Sequence, residues 1–220
     1  MILFLESICE PEIKKIIDFY LTDHHYLPDD SIFQAGDQVK GLFIISKGKV
    51  KVTKTVENNE QLILRLASDG MILGHRGFNG DWKYPVSAIA LTDVLVKFLP
   101  IDIFNMIAKT NARFTYQILM FFADELKKTE DSVAHLQVKN RISRFIYRNY
   151  EAFGYESKKS RKLSYTIPRK DLAIQAGTTY ESTIRVLSQL AKEKVIEMDG
   201  KELIISDLAK LKELAFPNYV

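Results

Sequence analysis

The sequence predicts an α+β protein in three successive parts: a small β-barrel, a long helix, and a helical domain that ends in a β-hairpin. Short apolar runs separated by turn residues fill residues 31–99, which is typical of strands in a barrel or sandwich. Residues 101–150 contain no proline or glycine, and their apolar side chains recur every three or four positions, which predicts helix. Near the C-terminus, Asp199-Gly200 separates two apolar runs and predicts a hairpin turn.

The composition is that of a globular protein long enough for two cores. The chain has 220 residues, of which 46% are hydrophobic and 27% are charged. It has no run of about 18 apolar residues, and Glu6 and Glu10 interrupt the apolar start before a signal-peptide pattern develops. We therefore expect a cytoplasmic protein without a membrane partner. The single cysteine, Cys9, cannot form an internal disulfide or a zinc site, and we expect a buried or tolerated thiol.

Basic residues are concentrated in the C-terminal third. Residues 1–139 contain 16 basic and 18 acidic side chains, whereas residues 140–220 contain 15 basic and 10 acidic ones. Positive charge of this kind neutralises phosphates and releases counterions from nucleic acid. The distribution favours a nucleic-acid partner for the C-terminal part, although such a surplus is also common on solvated surfaces.

The first domain is predicted over residues 1–110. Residues 49–54 alternate between valine and a polar side chain, as in a strand with one buried face. Asn58-Asn59 is typical of a hairpin tip, and the apolar runs are punctuated by Gly36, Gly48, Gly70 and Gly74. We expect a compact β-barrel or a jelly-roll-like sandwich.

A long helix is predicted over residues 111–139, after a break at residues 109–111. An alternating spacing of three and four lays out one apolar seam, formed by Leu119, Phe122, Leu126, Thr129, Val133 and Leu136. The seam either pairs with a second copy of the chain or packs on the barrel of its own chain. Because Phe121 and Ile118 lie beside the seam and can serve the intramolecular contact, we interpret the seam as a dimer contact.

The third domain is predicted over residues 140–220. Residues 154–163 are polar and basic, and they form either a connection or an ordered hairpin loop. Further on, Val195 to Met198 and Glu202 to Ile205 flank the predicted turn and form a two-stranded wing.

Two short helices joined at a glycine precede this wing. Residues 169–176 can form the first helix, and Gly177 can take a positive φ where the chain turns sharply. Thr178 or Thr179 can cap the second helix, which extends over residues 179–193.

The second helix has two faces. Its apolar face contains Ile184, Leu187 and Leu190 or Ala191, and its polar face contains Glu181, Arg185, Ser188 and Lys192. Two short helices in this arrangement, the second with a polar outward face, are typical of the unit that inserts a helix into the major groove of DNA.

These segments resemble one family. RKDLAIQAGTTYESTIRVLSQLAKEKVIE, residues 169–197, is similar to the helix-turn-helix of the cyclic-AMP receptor/Fnr family of bacterial transcription regulators. FIISKGKVKV, residues 43–52, together with ALTD, residues 90–93, resembles the β-roll sensor domain of the same family, and the overall layout matches over nearly the whole chain.

The resemblance implies an architecture and a function. It implies a cyclic-nucleotide-binding-like β-roll, a long dimerisation helix and a winged helix-turn-helix. The implied function is that of a dimeric, sequence-specific DNA-binding transcription regulator that recognises a pseudo-palindromic operator and has RNA polymerase as a further partner. The alternative is a small-molecule-sensing module whose C-terminal domain contacts protein instead of DNA. The sequence lacks a Gly-rich phosphate loop and a nucleophile elbow, so we expect no enzyme.

The resemblance also assigns DNA-contact roles. It places Glu181 and Arg185 on base edges, and Arg169 with the Thr178 or Thr179 hydroxyl on phosphates. Tyr180 stands where many members have arginine, so it either contacts a base or packs above Ile184. The full candidate set is Arg169, Thr178, Thr179, Tyr180, Glu181, Thr183 and Arg185.

The effector pocket departs from that of relatives that bind cyclic AMP. Those relatives hold the ribose with a Gly-Glu-(Leu/Val) turn and the cyclic phosphate with an Arg-Ser pair. Here the turn reads Gly74-His75-Arg76, and the pair falls on Tyr84-Pro85 or Pro85-Val86, which supplies neither a cation nor a hydroxyl at the serine position.

On the long helix, Thr129 matches a ligand-facing threonine, but Glu130 follows it, and a carboxylate there repels a phosphate. We therefore expect no cyclic-AMP binding in the usual way, and the effector is unknown. The candidate effector-pocket residues are Gly74, His75, Arg76, Tyr84, Pro85, Thr129 and Glu130.

Three interpretations of His75 are open: part of a pocket for another anion, a haem ligand as in some carbon-monoxide-sensing relatives, or an ordinary polar residue. Cys9 alone cannot hold the iron–sulfur cluster of Fnr members. We predict no cofactor and no metal site.

Overall fold

The computed structural model describes residues 10–56, 60–78, 80–129 and 136–217. The chain divides into two compact units, Met1–Lys54 with Ala67–Ser132 and Thr55–Leu66 with Val133–Val220. Some residues discussed above lie outside the described ranges: Cys9, Asn58, Asn59, Glu130 and Val133.

The N-terminal strands form two four-stranded sheets of a β-roll, in the orders β1-β8-β3-β6 and β2-β7-β4-β5. The strands are β1 (Thr22–Tyr26), β2 (Ser31–Phe33), β3 (Gly41–Lys47), β4 (Val50–Thr55), β5 (Gln61–Ala67), β6 (Ile72–Leu73), β7 (Ser87–Ala90) and β8 (Val94–Pro100). The antiparallel register of β4 on β7 sets Val50 opposite Ala90 and Val52 opposite Ala88, and all four side chains are buried. The alternation of residues 49–54 therefore directs valines into the core, as predicted.

In the part of this unit that the structure describes, three helices pack against the roll: α1 (Pro11–Tyr20), α2 (Ile101–Thr110) and α3 (Ala112–Thr129). Their buried side chains form a second apolar cluster with Leu42, Ile72 and Leu99 of the roll. Between α2 and α3, the side-chain oxygen of Asn111 accepts a hydrogen bond from the main-chain N–H of Phe114 at 2.7 Å. Asparagine is a good N-cap, so the helix break predicted at residues 109–111 is confirmed at Asn111.

The predicted helix over residues 111–139 is not continuous in the described part of the chain. α3 is described to residue 129, residues 136–137 are not helical, and α4 begins at Val138. Gln137 is extended, with ψ 155, and precedes α4 as its N-cap. The side chain of Arg141 donates a hydrogen bond to the carbonyl of Leu136 at 2.6 Å, which holds this non-helical joint in place.

Among its described residues, the second unit contains most of β5, four helices and a hairpin: α4 (Val138–Phe153), α5 (Arg169–Gln175), α6 (Tyr180–Lys192), β9 (Ile196–Asp199), β10 (Glu202–Ile205) and α7 (Leu208–Ala215). Its core contains fully buried aliphatic side chains, among them Ile142, Ile146, Leu172, Leu187, Leu190 and Leu211. Residues 154–163 are an ordered hairpin loop, because Tyr155 bridges to Leu163 and Lys162 bridges to Ile204 of β10.

Candidate functional site

The turn between α5 and α6 has the geometry that the sequence predicts. Gly177 has φ +55, which glycine adopts without the steric cost of a side chain. The hydroxyl of Thr179 accepts a hydrogen bond from the main-chain N–H of Ser182 at 3.1 Å, so Thr179 is the N-cap of α6. Thr178 is half-buried, and its N–H donates to the carbonyl of Ala173. The two helices are therefore joined as a helix-turn-helix.

Helix α6 turns one face into the core and the other to solvent. Thr183, Leu187 and Leu190 are fully buried at a 4-3 spacing. The exposed face carries Tyr180, Glu181, Ile184, Arg185 and Ser188. A face of this composition offers hydrogen-bond donors and acceptors together with one small apolar patch.

Two sequence-based assignments on α6 are wrong. Thr183, a candidate DNA contact, is buried, and its hydroxyl donates a hydrogen bond to the carbonyl of Thr179 at 3.0 Å. Ile184, assigned to the apolar face, is exposed. The 4-3 spacing of Thr183 with Leu187 and Leu190 could have identified Thr183 as the buried residue of this turn of α6.

Arg169 links α5 to the wing. Its Nη1 donates a hydrogen bond to the carbonyl of Lys201 at 2.8 Å. Burial lowers the pKa of Arg169, while the neighbouring Tyr180 and Glu202 act in the opposite direction. An arginine remains protonated under all ordinary conditions, so this group is a fixed positive charge near the start of α6.

The wing is the predicted antiparallel hairpin, with its turn displaced by one residue. Asp199 pairs with Glu202, so the turn consists of Gly200 and Lys201, not Asp199 and Gly200. The hydroxyl of Thr166 donates to the Glu202 carboxylate at 3.0 Å and accepts from the N–H of Leu203 at 3.1 Å, which anchors β10.

In the roll, Tyr84 occupies the position that the resemblance gives to the phosphate-binding pair. Tyr84 is 3% exposed, and its ring stacks on Phe33 with 4.2 Å between ring centroids. Its hydroxyl donates to the carbonyl of Gly41 at 2.9 Å and accepts from the N–H of Lys40 at 3.2 Å. Burial raises the pKa of the Tyr84 hydroxyl, so the proton that makes the bond to Gly41 is retained. Tyr84 is thus part of the aromatic core.

The turn that precedes Tyr84 in the roll faces helix α3. His75 and Arg76 lie in a 3₁₀ turn, residues 75–77, after Gly74, which has φ +89. His75 Nε2 is 3.8 Å and Arg76 Nη2 is 3.9 Å from Oε2 of Glu125 on α3. Glu125 is 8% exposed. The sequence analysis did not identify Glu125. Its position four residues after Phe121 places it on the same face of the helix, where an acidic side chain is unusual, and this was the signal that could have identified it.

The described residues do not assemble the predicted effector pocket as one cavity. Tyr84 packs inside the roll, Pro85 is exposed, and His75 with Arg76 faces Glu125. The side chain of Thr129 and the whole of Glu130 lie outside the described residues. The prediction of an effector pocket therefore has no geometric support from the residues that the structure describes.

Two residues of the candidate dimer seam, Leu119 and Leu126, lie on the exposed side of α3. Leu119 is 61% and Leu126 is 64% exposed, and Tyr116 and Met120 add exposed apolar surface. Phe122 is half-buried and contacts the rings of His75 and Phe121. Phe121 itself is buried within the unit, so the intramolecular contact uses the residue that the sequence suggested.

Within the described ranges, no group of three or more His, Cys, Asp or Glu side chains is placed to hold a metal ion. None of the helices in the described part of the chain has the length and apolar character needed to cross a lipid bilayer.

Two domain families match this chain. The cyclic nucleotide-binding domain matches residues 23–111, and the Crp-like helix-turn-helix domain matches residues 140–214. The first match covers the roll with α2, and the second covers the helix-turn-helix, the wing and α7.

Relatives with known roles match over most of the chain. The fumarate and nitrate reduction regulatory protein of Vibrio cholerae is 27% identical over 187 residues, covering 84% of this chain and 74% of that protein. The anaerobic regulatory protein of Pasteurella multocida is 28% identical over 190 residues, covering 84% of this chain and 68% of that protein. Among solved structures, FixK2 from Bradyrhizobium japonicum has a TM-score of 0.75 at 18% identity, covering 88% of this chain and 96% of that one. The structural likeness supports the same fold.

Proposed function

Because the chain belongs to the cyclic-AMP receptor/Fnr family of transcription regulators and is a DNA-binding regulator, we propose that it binds a pseudo-palindromic operator as a homodimer. Each copy inserts α6 into the major groove. The two copies place their recognition helices about one turn of DNA apart, roughly 34 Å.

The exposed face of α6 is the observation that carries this proposal. Glu181 and Arg185 are exposed and four residues apart, on the side opposite to the buried Leu187 and Leu190. A guanidinium donates two hydrogen bonds to O6 and N7 of guanine, and a carboxylate accepts from a cytosine amino group. We assign these base contacts to Arg185 and Glu181, respectively.

Tyr180 gives the exposed face of α6 a base preference that differs from that of members with arginine at this position. It is 52% exposed at the first residue of α6, and Ile184, one turn further on, is also exposed. Apolar side chains contact the methyl group of thymine in the major groove, and a phenol hydroxyl adds one hydrogen bond. We propose that Tyr180 and Ile184 together favour thymine at the base pair where an arginine in other members would favour guanine.

Phosphate contacts fix the position of the helix on the duplex. Thr178 and Thr179 lie at the start of α6, where main-chain N–H groups and the helix dipole favour an anion. Arg169 keeps N–H groups besides the one that it donates to Lys201. We propose that these three residues contact phosphates. They fix the orientation of the protein on the duplex and do not contribute to its sequence preference.

The exposed apolar residues of α3 provide the dimer contact in this proposal. A helix that leaves Leu119 and Leu126 more than half exposed gains free energy when a second copy covers them. Pairing of α3 with the same helix of a second copy is isologous, so it produces a twofold axis that matches a palindromic site.

The sensor domain in this proposal does not bind cyclic AMP in the usual way, because the ring of Tyr84 fills the position of the phosphate-binding pair. We propose that the protein acts in the cytoplasm without enzymatic activity and contacts RNA polymerase at its promoters.

Selection from random-sequence DNA tests the proposal. We expect two inverted half-sites about one helical turn apart to be enriched, and sedimentation to show a complex of two chains with one duplex. If no palindrome is enriched, the proposed operator is wrong and the alternative, in which the C-terminal domain contacts protein instead of DNA, gains support. The variant R185A should lose the enrichment at one base pair of each half-site. K212A, which removes an exposed positive charge on α7, is the matched control and should enrich the same site.

A further inference from the structure

Glu125 is an acidic side chain on the buried face of α3, where the spacing of the helix predicts an apolar residue. The buried face of the helix contains Phe114 and Phe121, and Glu125 continues it one turn further along. An ionised carboxylate loses its hydration when it is buried, and this cost is recovered only by well-placed partners of opposite charge. A hydrophobic residue at this position would avoid that cost.

The partners of Glu125 come from the 3₁₀ turn of the roll. His75 Nε2 and Arg76 Nη2 lie 3.8 and 3.9 Å from the same carboxylate oxygen. The ring of His75 also meets the edges of Phe121 and Phe122, with centroid distances of 5.1 and 5.8 Å. The contact therefore joins one short turn of the roll to two consecutive turns of α3.

The turn that holds these partners is closely packed. A Cβ atom at Gly74 would approach the Gly41 carbonyl to 3.0 Å, and a Cβ at Gly77 would approach a Val39 methyl to 2.5 Å. Tyr84 packs against both glycines and is itself anchored to the Gly41 carbonyl. His75 and Arg76 are thus presented from a closely packed support.

A charged contact restricts the rotation of a helix more than apolar packing does. Apolar side chains of about the right size tolerate repacking, whereas the Glu125 carboxylate reaches both the His75 imidazole and the Arg76 guanidinium over a narrower range of rotation and height of α3. Glu125 and Leu126 are neighbours, about 100° apart around the helix axis. The rotation of α3 at which Glu125 contacts His75 and Arg76 therefore determines the direction in which Leu126 and Leu119 project.

We propose that Glu125 is a positioning residue for the dimer: with His75 and Arg76 it sets the rotation of α3 on the roll and thereby presents the exposed seam to a second copy. This inference rests on the proposed function, because it requires a dimer through α3. In this proposal the 3₁₀ turn positions α3, and the anion that His75 and Arg76 contact is the carboxylate of Glu125 in the same chain.

Cysteine cross-linking measures the rotation of α3 directly. In a background in which Cys9 is replaced by serine, L119C and L126C are each oxidised to an intermolecular disulfide; because the two positions are seven residues apart on one side of α3, a rotation of that side away from the partner lowers the yields. We expect both positions to cross-link in the protein with Glu125. In E125L the yield at one or both positions should fall at least threefold, and operator affinity should fall about tenfold.

E125L separates positioning from stability. Leucine fills the space of the carboxylate but removes only one partner of the contact, so urea titration of E125L is compared with the cross-linking: a role in stability alone would lower the unfolding midpoint and leave the yields and operator affinity of the folded protein unchanged. E125Q, which keeps the shape and removes the charge, should shift the cross-linking pattern in the same direction. D124N, a change at the exposed neighbouring carboxylate, is the control and should leave both yields and operator affinity unchanged.

The possible results distinguish the inference from the function on which it rests. If the parent protein is monomeric in sedimentation and gives no cross-link, the proposed dimer is wrong. If the parent cross-links and binds its operator, but E125L and E125Q keep the same yields and affinity, the dimer stands and the positioning role of Glu125 is overturned.

Discussion

Arg169 donates a hydrogen bond from Nη1 to the main-chain carbonyl of Lys201, across 2.8 Å. The bond joins the first residue of α5 to the turn of the wing, so one side chain connects the two parts of the domain that flank the recognition helix. The same side chain is assigned a phosphate contact in the proposed complex.

Replacing Arg169 tests the two roles separately. In R169A we expect operator affinity to fall by about 1 kcal/mol or more, the usual worth of one hydrogen bond, and the slope of log affinity against log salt to decrease by about one. Hydrogen exchange at residues 199–201 should become faster, because the turn loses its donor. R169K keeps the charge without the fork of donors, so it should retain the salt slope and lose the exchange protection. An unchanged salt slope in R169A would remove the phosphate role.

Arg185 should determine one base of the half-site. We expect R185A to cost about 1 to 3 kcal/mol on the selected operator and to bind equally well when the matched base pair is changed. Fluorescence anisotropy with the selected site and four single-base variants measures this effect. An equal loss on every sequence would identify Arg185 as a phosphate contact.

Thr183 should affect stability and not DNA recognition. Its hydroxyl is buried and donates to the Thr179 carbonyl at 3.0 Å. T183V removes this hydrogen bond while nearly keeping the volume, so the free energy of unfolding should fall by about 1 kcal/mol in urea titrations. Operator affinity of the folded protein should remain within about twofold. A loss of base preference would show that Thr183 reaches the DNA.

Tyr84 should behave as a core residue of the roll. Y84F loses the hydrogen bond to the Gly41 carbonyl and should cost about 1 kcal/mol of unfolding free energy, whereas Y84A opens a cavity and should cost about 3 to 5 kcal/mol. Calorimetric titration of the unchanged protein with cyclic AMP should give no binding heat. Saturable binding at micromolar concentration would mean that the ring leaves the roll.

Glu193 should make stability depend on acid pH. Its carboxylate accepts hydrogen bonds from Lys139 Nζ at 2.7 and 2.8 Å, which lower its pKa, and Gln189 adds a further bond. A lowered pKa in the folded state means that the stabilisation is present above the ordinary glutamate pKa and is lost as pH falls through the folded value. E193Q should therefore unfold more easily than the parent at pH 7, and the difference should vanish in strong acid. E213Q, on the exposed side of α7, should show no such convergence.

Much of the helix-turn-helix could be predicted because its determinants are local. Gly177 has the positive φ that a sharp turn between helices requires, and Thr179 caps the next helix through its own side chain. The 3-4 spacing on α3 likewise indicated Phe121 for the intramolecular contact. Each of these features depends on residues within one or two turns of chain.

The predictions from sequence were wrong where the conformation depends on contacts between segments that are distant along the chain. The inward face of α6 was placed one residue too far along, because Ile184 is the more hydrophobic side chain and only packing against the core shows that Thr183 is the buried one. The wing turn differed by one residue because the register of β9 on β10 pairs Asp199 with Glu202.

By itself, the sequence determined the order of elements, the turn at Gly177 and the composition of the recognition face, since periodicity and backbone freedom are properties of neighbouring residues. Only the tertiary structure decided that Tyr84 fills the roll and that Glu125 meets His75 and Arg76. The reason is physical: whether an aromatic ring stacks or a carboxylate is paired depends on groups that are distant in sequence and are brought together only when the sheets and helices pack.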